Sequence, residues 1–255
     1  MADRTTVLIT GANRGIGRGL TEAYLSRPDH TVIAAVRDPS SATAQSLHSV
    51  PAAPRSKVHV IKIDSASDKD AAEAIRTVQD LGIRHLDVVI ANAGIAEVFE
   101  TVDQINPDKF RTLFEVNTLG PVKLFGAVFP LLKAAAEIKG VVKYAAIGTV
   151  AASTANVEAN KATMLGSYGA SKAALSHLVR RAQFENDWLT AVVVSPGWAQ
   201  TDMGNAGARL FGMEKAVVPV KDSAEGIIKV LDNATRETAA GAGGFWEYDG
   251  TPLTY

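Results

Sequence analysis

Tyr168-Gly-Ala-Ser-Lys172 stands at the head of an apolar-periodic stretch. In a helix, positions four apart share one face, so the phenol of Tyr168 and the ammonium of Lys172 are neighbours. An unperturbed tyrosine, with a pKa of about 10, is a poor proton relay near neutral pH. A nearby positive charge favours the phenolate and is expected to lower that value. Such a group suits direct hydride transfer to a carbonyl, where the developing alkoxide must be protonated. Alone, Tyr-x-x-x-Lys describes an ordinary helix surface pair equally well. Its weight depends on what else the chain carries.

A second motif supplies that weight. Thr10-Gly-Ala-Asn-Arg-Gly-Ile-Gly17 follows an apolar strand and opens a helix. Gly11, Gly15 and Gly17 permit a sharp turn, close approach of a ligand and tight packing of helix on sheet. A helix N-terminus offers free N–H groups and partial positive charge to a pyrophosphate. A dinucleotide is therefore expected. An acid about 20 residues further on would bind a ribose 2′-hydroxyl and mark NAD. The second strand ends instead in Val36-Arg37-Asp38, and Arg14 lies inside the turn. Two guanidinium groups converging there favour a 2′-phosphate, hence NADP. Asp38 keeps NAD as the alternative.

The elements that must position these groups alternate along the chain. Thr6–Thr10, Thr31–Val36, Val58–Ile63, Leu86–Ala91, Val141–Ile147, Thr190–Val194 and Phe245–Tyr248 read as strands. Between them, Ile16–Ser26, Asp68–Leu81, Pro107–Ile138 and the stretches near 168–186 and 223–233 read as helices. The strands are continuous apolar runs, the mark of strands covered on both faces. This order predicts an α/β fold of Rossmann type, a doubly wound parallel sheet in one domain spanning 1–255. Residues 38–57 predict a short helix and a surface loop. Residues 202–222, with Gly204, Gly207, Gly212 and Pro219, predict a long loop. Its place after a strand suggests a substrate lid, the alternative being a surface excursion.

The balance of 47% hydrophobic and 21% charged residues is that of an ordinary globular chain. With no cysteine, disulfides, thiolate metal sites and cysteine nucleophiles are excluded. The five histidines have no metal-ligand spacing, so no metal is expected. Net charge is −1 and no long basic run occurs, which argues against nucleic acid as a partner. Met1-Ala-Asp-Arg-Thr-Thr6 has no apolar stretch suited to a signal peptide, and no apolar run approaches the ~20 residues that span a bilayer. No membrane partner and a cytoplasmic location are the expectation.

Taken together, Thr10-Gly-x-x-x-Gly-Ile-Gly17, Asn92-Ala-Gly94, Asn117, Tyr168-x-x-x-Lys172 and Pro196-Gly197 followed by Thr201 resemble the short-chain dehydrogenase/reductase family over nearly the whole chain. The resemblance implies that Asn117 holds a water in a proton relay to Lys172, which also binds the nicotinamide ribose. It implies cofactor contacts from Gly11, Asn13, Arg14, Gly15, Ile16, Gly17 and Arg37, with Asp64 at the adenine and Asn92 and Gly94 near the ribose. Pro196, Gly197, Ala199 and Thr201 would frame the nicotinamide. The family places a serine after the fifth strand to bind the substrate carbonyl. Here Thr149 occupies that place, with Ser153 as a rival, and the long spacing to Tyr168 implies an insertion around Asn156–Met164.

More narrowly, Gln200–Gly212, Phe184–Leu189 and Leu86–Asn92 resemble fungal ketoreductases that act on a polyketide ketone, within a wider group of small carbonyl reductases. A ketone or aldehyde substrate is implied, with Phe99, Trp198, Met203, Leu210, Phe211 and Met213 as candidate lining. The family also implies a homodimer or homotetramer. Two alternatives stay open: an NAD-dependent alcohol dehydrogenase and a non-catalytic NADP sensor.

Overall fold

The computed structural model describes residues 4–96, 100–153, 165–241 and 244–254. Seven parallel strands form one sheet in the order β3-β2-β1-β4-β5-β6-β7. They are β1 Thr5–Thr10, β2 His30–Val36, β3 Lys57–Lys62, β4 Val88–Ala91, β5 Val142–Ile147, β6 Leu189–Ser195 and β7 Phe245–Glu247. All seven predicted strands are present, and the doubly wound parallel sheet is as expected.

The continuous apolar runs have a direct cause. Leu8 of β1 and Ile33 and Ala35 of β2 enter the core on one face of the sheet. Val7 and Ile9, with Val32 and Ala34, enter the core on the other. Side chains alternate at period two and neither face meets water, so neither set can be polar. Each such Leu, Ile or Val, buried outright, stabilises the fold by about 1.5–3 kcal/mol.

Helices α1 Gly15–Leu25, α2 Ala42–Gln45, α3 Asp70–Asp80, α4 Pro107–Phe114, α5 Gly120–Lys139, α6 Gly166–Glu185, α7 Asp202–Leu210, α8 Val220–Asn233 and α9 Arg236–Gly241 complete the fold. α3, α5 and α6 cover one face, and α1 and α8 the other. α4 starts cleanly because the Asn106 side chain accepts the N–H groups of Asp108 and Lys109, and Pro107 follows it.

Two expectations need correction, and one helix was not anticipated. The 202–222 segment is not a plain loop, since α7 occupies its first half. α9 escaped the sequence reading. By length and composition the continuous helical run Pro107–Lys139, of mean hydropathy 1.4 in its most apolar part, does reach bilayer-spanning size. In the fold, its Leu124, Val128, Leu131, Leu132 and Ala135 pack into the core between helix and sheet.

Candidate active site

The strand order reverses between β1 and β4, and the carboxyl ends of those strands bring the glycine turn and Asn92-Ala-Gly94 together. β1 runs into Gly11, whose φ of +64° suits glycine. A Cβ on Gly17 would land on the Gly11 carbonyl oxygen and on the side-chain amide of Asn92. Only a glycine lets α1 start that close to the sheet. The turn is braced by β4: the Thr10 hydroxyl oxygen accepts the N–H groups of Asn92 and Ala93, each at 3.0 Å. Asn92 Nδ2 in turn donates to the Thr10 carbonyl at 2.8 Å. Asn92 therefore holds the glycine turn through its Nδ2. α1 has no side-chain cap and no acid in its first turn, so its N-terminus is left to an anion.

The adenosine end is less uniform. Asn13 Nδ2 donates to Thr43 Oγ1 at 2.7 Å, tying the turn to α2. Arg14 leans toward Asp202 at 3.7 Å, with both side chains exposed. The expected convergence of Arg14 with Arg37 is thus not what the protein alone displays. Arg37 is exposed at the end of β2. Asp38 accepts from the Ser40 N–H at 2.9 Å and the Ser40 hydroxyl at 2.6 Å, and these bonds hold its carboxyl below the usual range. Asp64, just past β3, accepts the N–H of Ala66 at 3.0 Å. A groove of about 610 Å³ lined by Arg14, Gly15, Arg18, Thr201, Asp202 and Lys221 flanks the glycine turn; Tyr168 and Lys172 do not line it.

Tyr168 and Lys172 lie in the first two turns of α6. Lys172 is 3% exposed, and its Nζ donates to the Ile147 carbonyl at the end of β5 at 2.8 Å. Burial pushes its pKa down to about 8. Burial pushes Tyr168 up to about 12. That is opposite to the lowering expected from its neighbour. Burial is the cause that acts on Tyr168, and the Lys172 ammonium is directed to a backbone carbonyl.

Asn117 is fully buried in a π turn, Glu115–Leu119, that joins α4 to α5. Wide turns of this kind are frequent at functional sites. Its Oδ1 accepts the Ile95 N–H at 2.9 Å, and its Nδ2 donates to the Ile95 carbonyl at 2.9 Å and to Ser171 Oγ at 3.1 Å. The side chain is a clamp between the loop after β4 and α6. Gly94 sits in the same place: a Cβ there would lie 3.2 Å from Asn117 Oδ1 and 3.3 Å from Lys172 Nζ. Asn117, Gly94 and Lys172 are thus brought together.

Thr149 caps a short turn, Val150–Ala152, its oxygen accepting the Ala151 N–H at 3.3 Å. That leaves its O–H proton available to donate. Ser153 is 1% exposed, and its hydroxyl has no partner among the described residues. Ala151 packs directly on the first turn of α6, where a Cβ on Gly169 would lie 2.8 Å from its carbonyl oxygen. The insertion at 156–164 and Phe99 lie outside the described residues.

After β6, Pro196 accepts the Ser223 hydroxyl at 2.7 Å, and Gly197 turns the chain at φ +68°. Thr201 touches the glycine turn, lying 3.0 Å from a Cβ built on Gly15. Its hydroxyl oxygen accepts the Gly204 N–H at 3.0 Å and starts α7. The segment leaves and returns at one point, because Gln200 donates to Val218 and Val218 to Trp198. Ala199 is buried at that junction. Met203, Leu210, Phe211 and Trp198 are exposed apolar side chains on this excursion. Trp198 and Phe211 meet edge to face, with ring centroids 5.9 Å apart.

Several contributors were not read from the sequence. Thr10 and Ser171 stood inside quoted motifs without a role, and the Ile147 carbonyl carries no side-chain signal at all. Only the packing of β4, β5 and α6 brings them to the site.

A parallel sheet with a glycine turn at its switch point and a Tyr-Lys helix beside it defines a nicotinamide-dependent oxidoreductase. The chain belongs to the short chain dehydrogenase family, whose model matches residues 5–209. It is 41% identical to a norsolorinic acid ketoreductase of Dothistroma septosporum, over 93% of this chain and 88% of that one. It is 40% identical to the norsolorinic acid ketoreductase of Aspergillus parasiticus, over 94% and 87% respectively. The NADPH-bound carbonyl reductase from chicken fatty liver has a similar structure, with a TM-score of 0.84 and 28% identity over 99% of this chain and 100% of that one.

Proposed function

We propose that the protein reduces a ketone or aldehyde to the alcohol with NADPH, an aromatic polyketide ketone being the favoured substrate class. The observation that carries this reading is the cluster of buried Lys172 and Asn117 with Gly94, tied to the Tyr168 turn of α6 through Ser171. A protein that merely sensed a dinucleotide would have no use for it. The relatives named as ketoreductases and the NADPH-bound carbonyl reductase support the direction and the cofactor. So does Asp38, the acid that could favour NAD, which is engaged by Ser40. Arg37 and Arg14 are left as the groups for a 2′-phosphate, and Arg14 would exchange Asp202 for it.

The reduced nicotinamide supplies the hydride. Gly11, Gly15, Gly17 and the uncapped start of α1 hold the pyrophosphate. Asn13 and Ile16 shape that turn, Asp64 meets the adenine, and Asn92 and Gly94 keep the ribose side in place. Pro196, Gly197, Ala199 and Thr201 frame the ring. Tyr168 carries the proton that neutralises the new alkoxide; a phenol pushed up toward 12 is fully protonated at neutral pH, as a donor must be. Lys172 holds the ribose and, with Asn117, refills Tyr168 through water. Thr149, partly exposed and with its O–H proton free, steadies the carbonyl oxygen. Ser153 is the less suitable rival because it is buried. The excursion over 202–222, with its exposed apolar side chains, acts as the substrate lid.

Replacing Tyr168 with Phe tests this directly. Turnover of NADPH with a carbonyl panel should fall by at least about a thousandfold. NADPH binding, read by fluorescence, should be unchanged. Substantial residual turnover would remove Tyr168 from its role.

A further inference from the structure

Glu100 is a buried carboxylate that the mechanism above does not use. It is 7% exposed. Its Oε1 accepts the Ser167 hydroxyl at 2.6 Å, and its Oε2 accepts the Asn106 N–H at 3.4 Å. Its backbone pairs in parallel with Leu165. Ser167 is the residue before Tyr168, and Asn106 is the cap of α4. Gly166 lies against the Glu100 carbonyl oxygen, with Val102 and Ile105 beside it. The first turn of α6 is therefore seated on the 100–106 segment.

That turn needs an outside support. Leu165 provides no side-chain cap, and α6 carries no acid in its first turn. The uncapped N–H groups and positive dipole end at the start of α6, together with the backbone N–H of Asn106, favour an anion between them. A carboxylate accepts from both donors at once, whereas an amide would present an N–H to one of them. Burying a charge there is a poor way to gain stability alone, since an apolar replacement often serves as well. What the charge adds is a fixed geometry next to the reacting hydroxyl.

We propose that Glu100 is a positioning residue for Tyr168, its carboxylate pinning the first turn of α6 between Ser167 and Asn106 and so fixing the aim of the tyrosine hydroxyl. This rests on Tyr168 being the proton donor. The test compares Glu100→Gln, Ser167→Ala, the double variant and Tyr168→Phe. The probes are NADPH with menadione and an aryl methyl ketone. Each single variant should lower kcat by roughly ten- to a hundredfold, the range expected when a reacting group is slightly misplaced. KM for the probes and the NADPH Kd should stay within about twofold, because uniform binding is untouched. The solvent deuterium effect on kcat should rise as proton transfer becomes limiting. The double variant should be no worse than the poorer single, because both break one link.

Wild-type kcat in folded Glu100→Gln and Ser167→Ala would overturn the proposal. So would multiplicative losses with an unchanged solvent isotope effect. If Glu100→Gln fails to fold, Ser167→Ala, which loses one hydroxyl, carries the test. Residual turnover in Tyr168→Phe, or no turnover of either probe by the wild type, would instead remove the reading on which the proposal stands. An inactive Tyr168→Phe beside unaffected Glu100 and Ser167 variants would remove only the positioning role.

Discussion

Lys172→Met should make the protein more stable while it abolishes turnover. Lys172 is 3% exposed, and burial lowers its pKa from 10.5 to about 8. A drop of that size corresponds to a cost of about 3 kcal/mol for holding the charge in the folded state. Methionine fills a similar volume without the charge. The loss of the Nζ bond to the Ile147 carbonyl, 2.8 Å long, offsets roughly 1 kcal/mol of that gain. The net expectation is a variant about 2 kcal/mol more stable near pH 7, or roughly 4–8 °C in Tm.

The pH dependence fixes the cause. A lysine with a depressed folded pKa leaves the unfolded chain binding more protons between the two values. The penalty is complete below about 8 and is relieved as pH rises toward 10.5. The advantage of Lys172→Met should therefore be largest near neutral pH and shrink across that window. Urea denaturation of the cofactor-free protein at several pH values measures it. Equal or lower stability of the variant near pH 7, or an advantage that does not change with pH, would refute the reasoning.

Gly17→Ala should lose NADPH binding and at least about 2 kcal/mol of stability, because its Cβ would overlap the Gly11 carbonyl and the Asn92 amide; calorimetry and fluorescence titration check it. Arg37→Ala, and Arg14→Ala less strongly, should shift the NADPH-over-NADH preference in kcat/KM by about tenfold or more, since each would remove a charge-assisted bond to the 2′-phosphate. An unchanged ratio would return the choice of cofactor to Asp38. Thr149→Ala should reduce kcat by roughly a hundred- to a thousandfold, the range for a lost oxyanion donor, with Ser153→Ala nearly silent in steady-state turnover. The reverse pattern would exchange their roles.

The sequence by itself determined the sheet, the glycine turn and the Tyr168–Lys172 pair. Strands buried on both faces are apolar along their central run, as in Val7–Ile9 and Ala191–Val194, so the pattern is local and legible. The glycine turn and the i, i+4 pair are also local, because their geometry follows from the backbone of one turn or one helix. α7 was missed because its glycines at 204 and 207 argue for a loop, while the cap that starts it is one hydroxyl, Thr201, and the pairing of Gln200 with Val218 closes it.

Tertiary structure decided what surrounds the reacting groups. It sent the Lys172 ammonium to the Ile147 carbonyl, turned Arg14 toward Asp202 and used Asn92 to brace Thr10. It also set the direction of the Tyr168 shift. Spacing along the chain brings a cation near the phenol and predicts a fall, yet burial, which exists only once β4, β5 and α6 have packed, raises it to about 12. The order of residues settles which groups share a helix face. The dielectric around them, and the partners that claim their protons, belong to the folded chain.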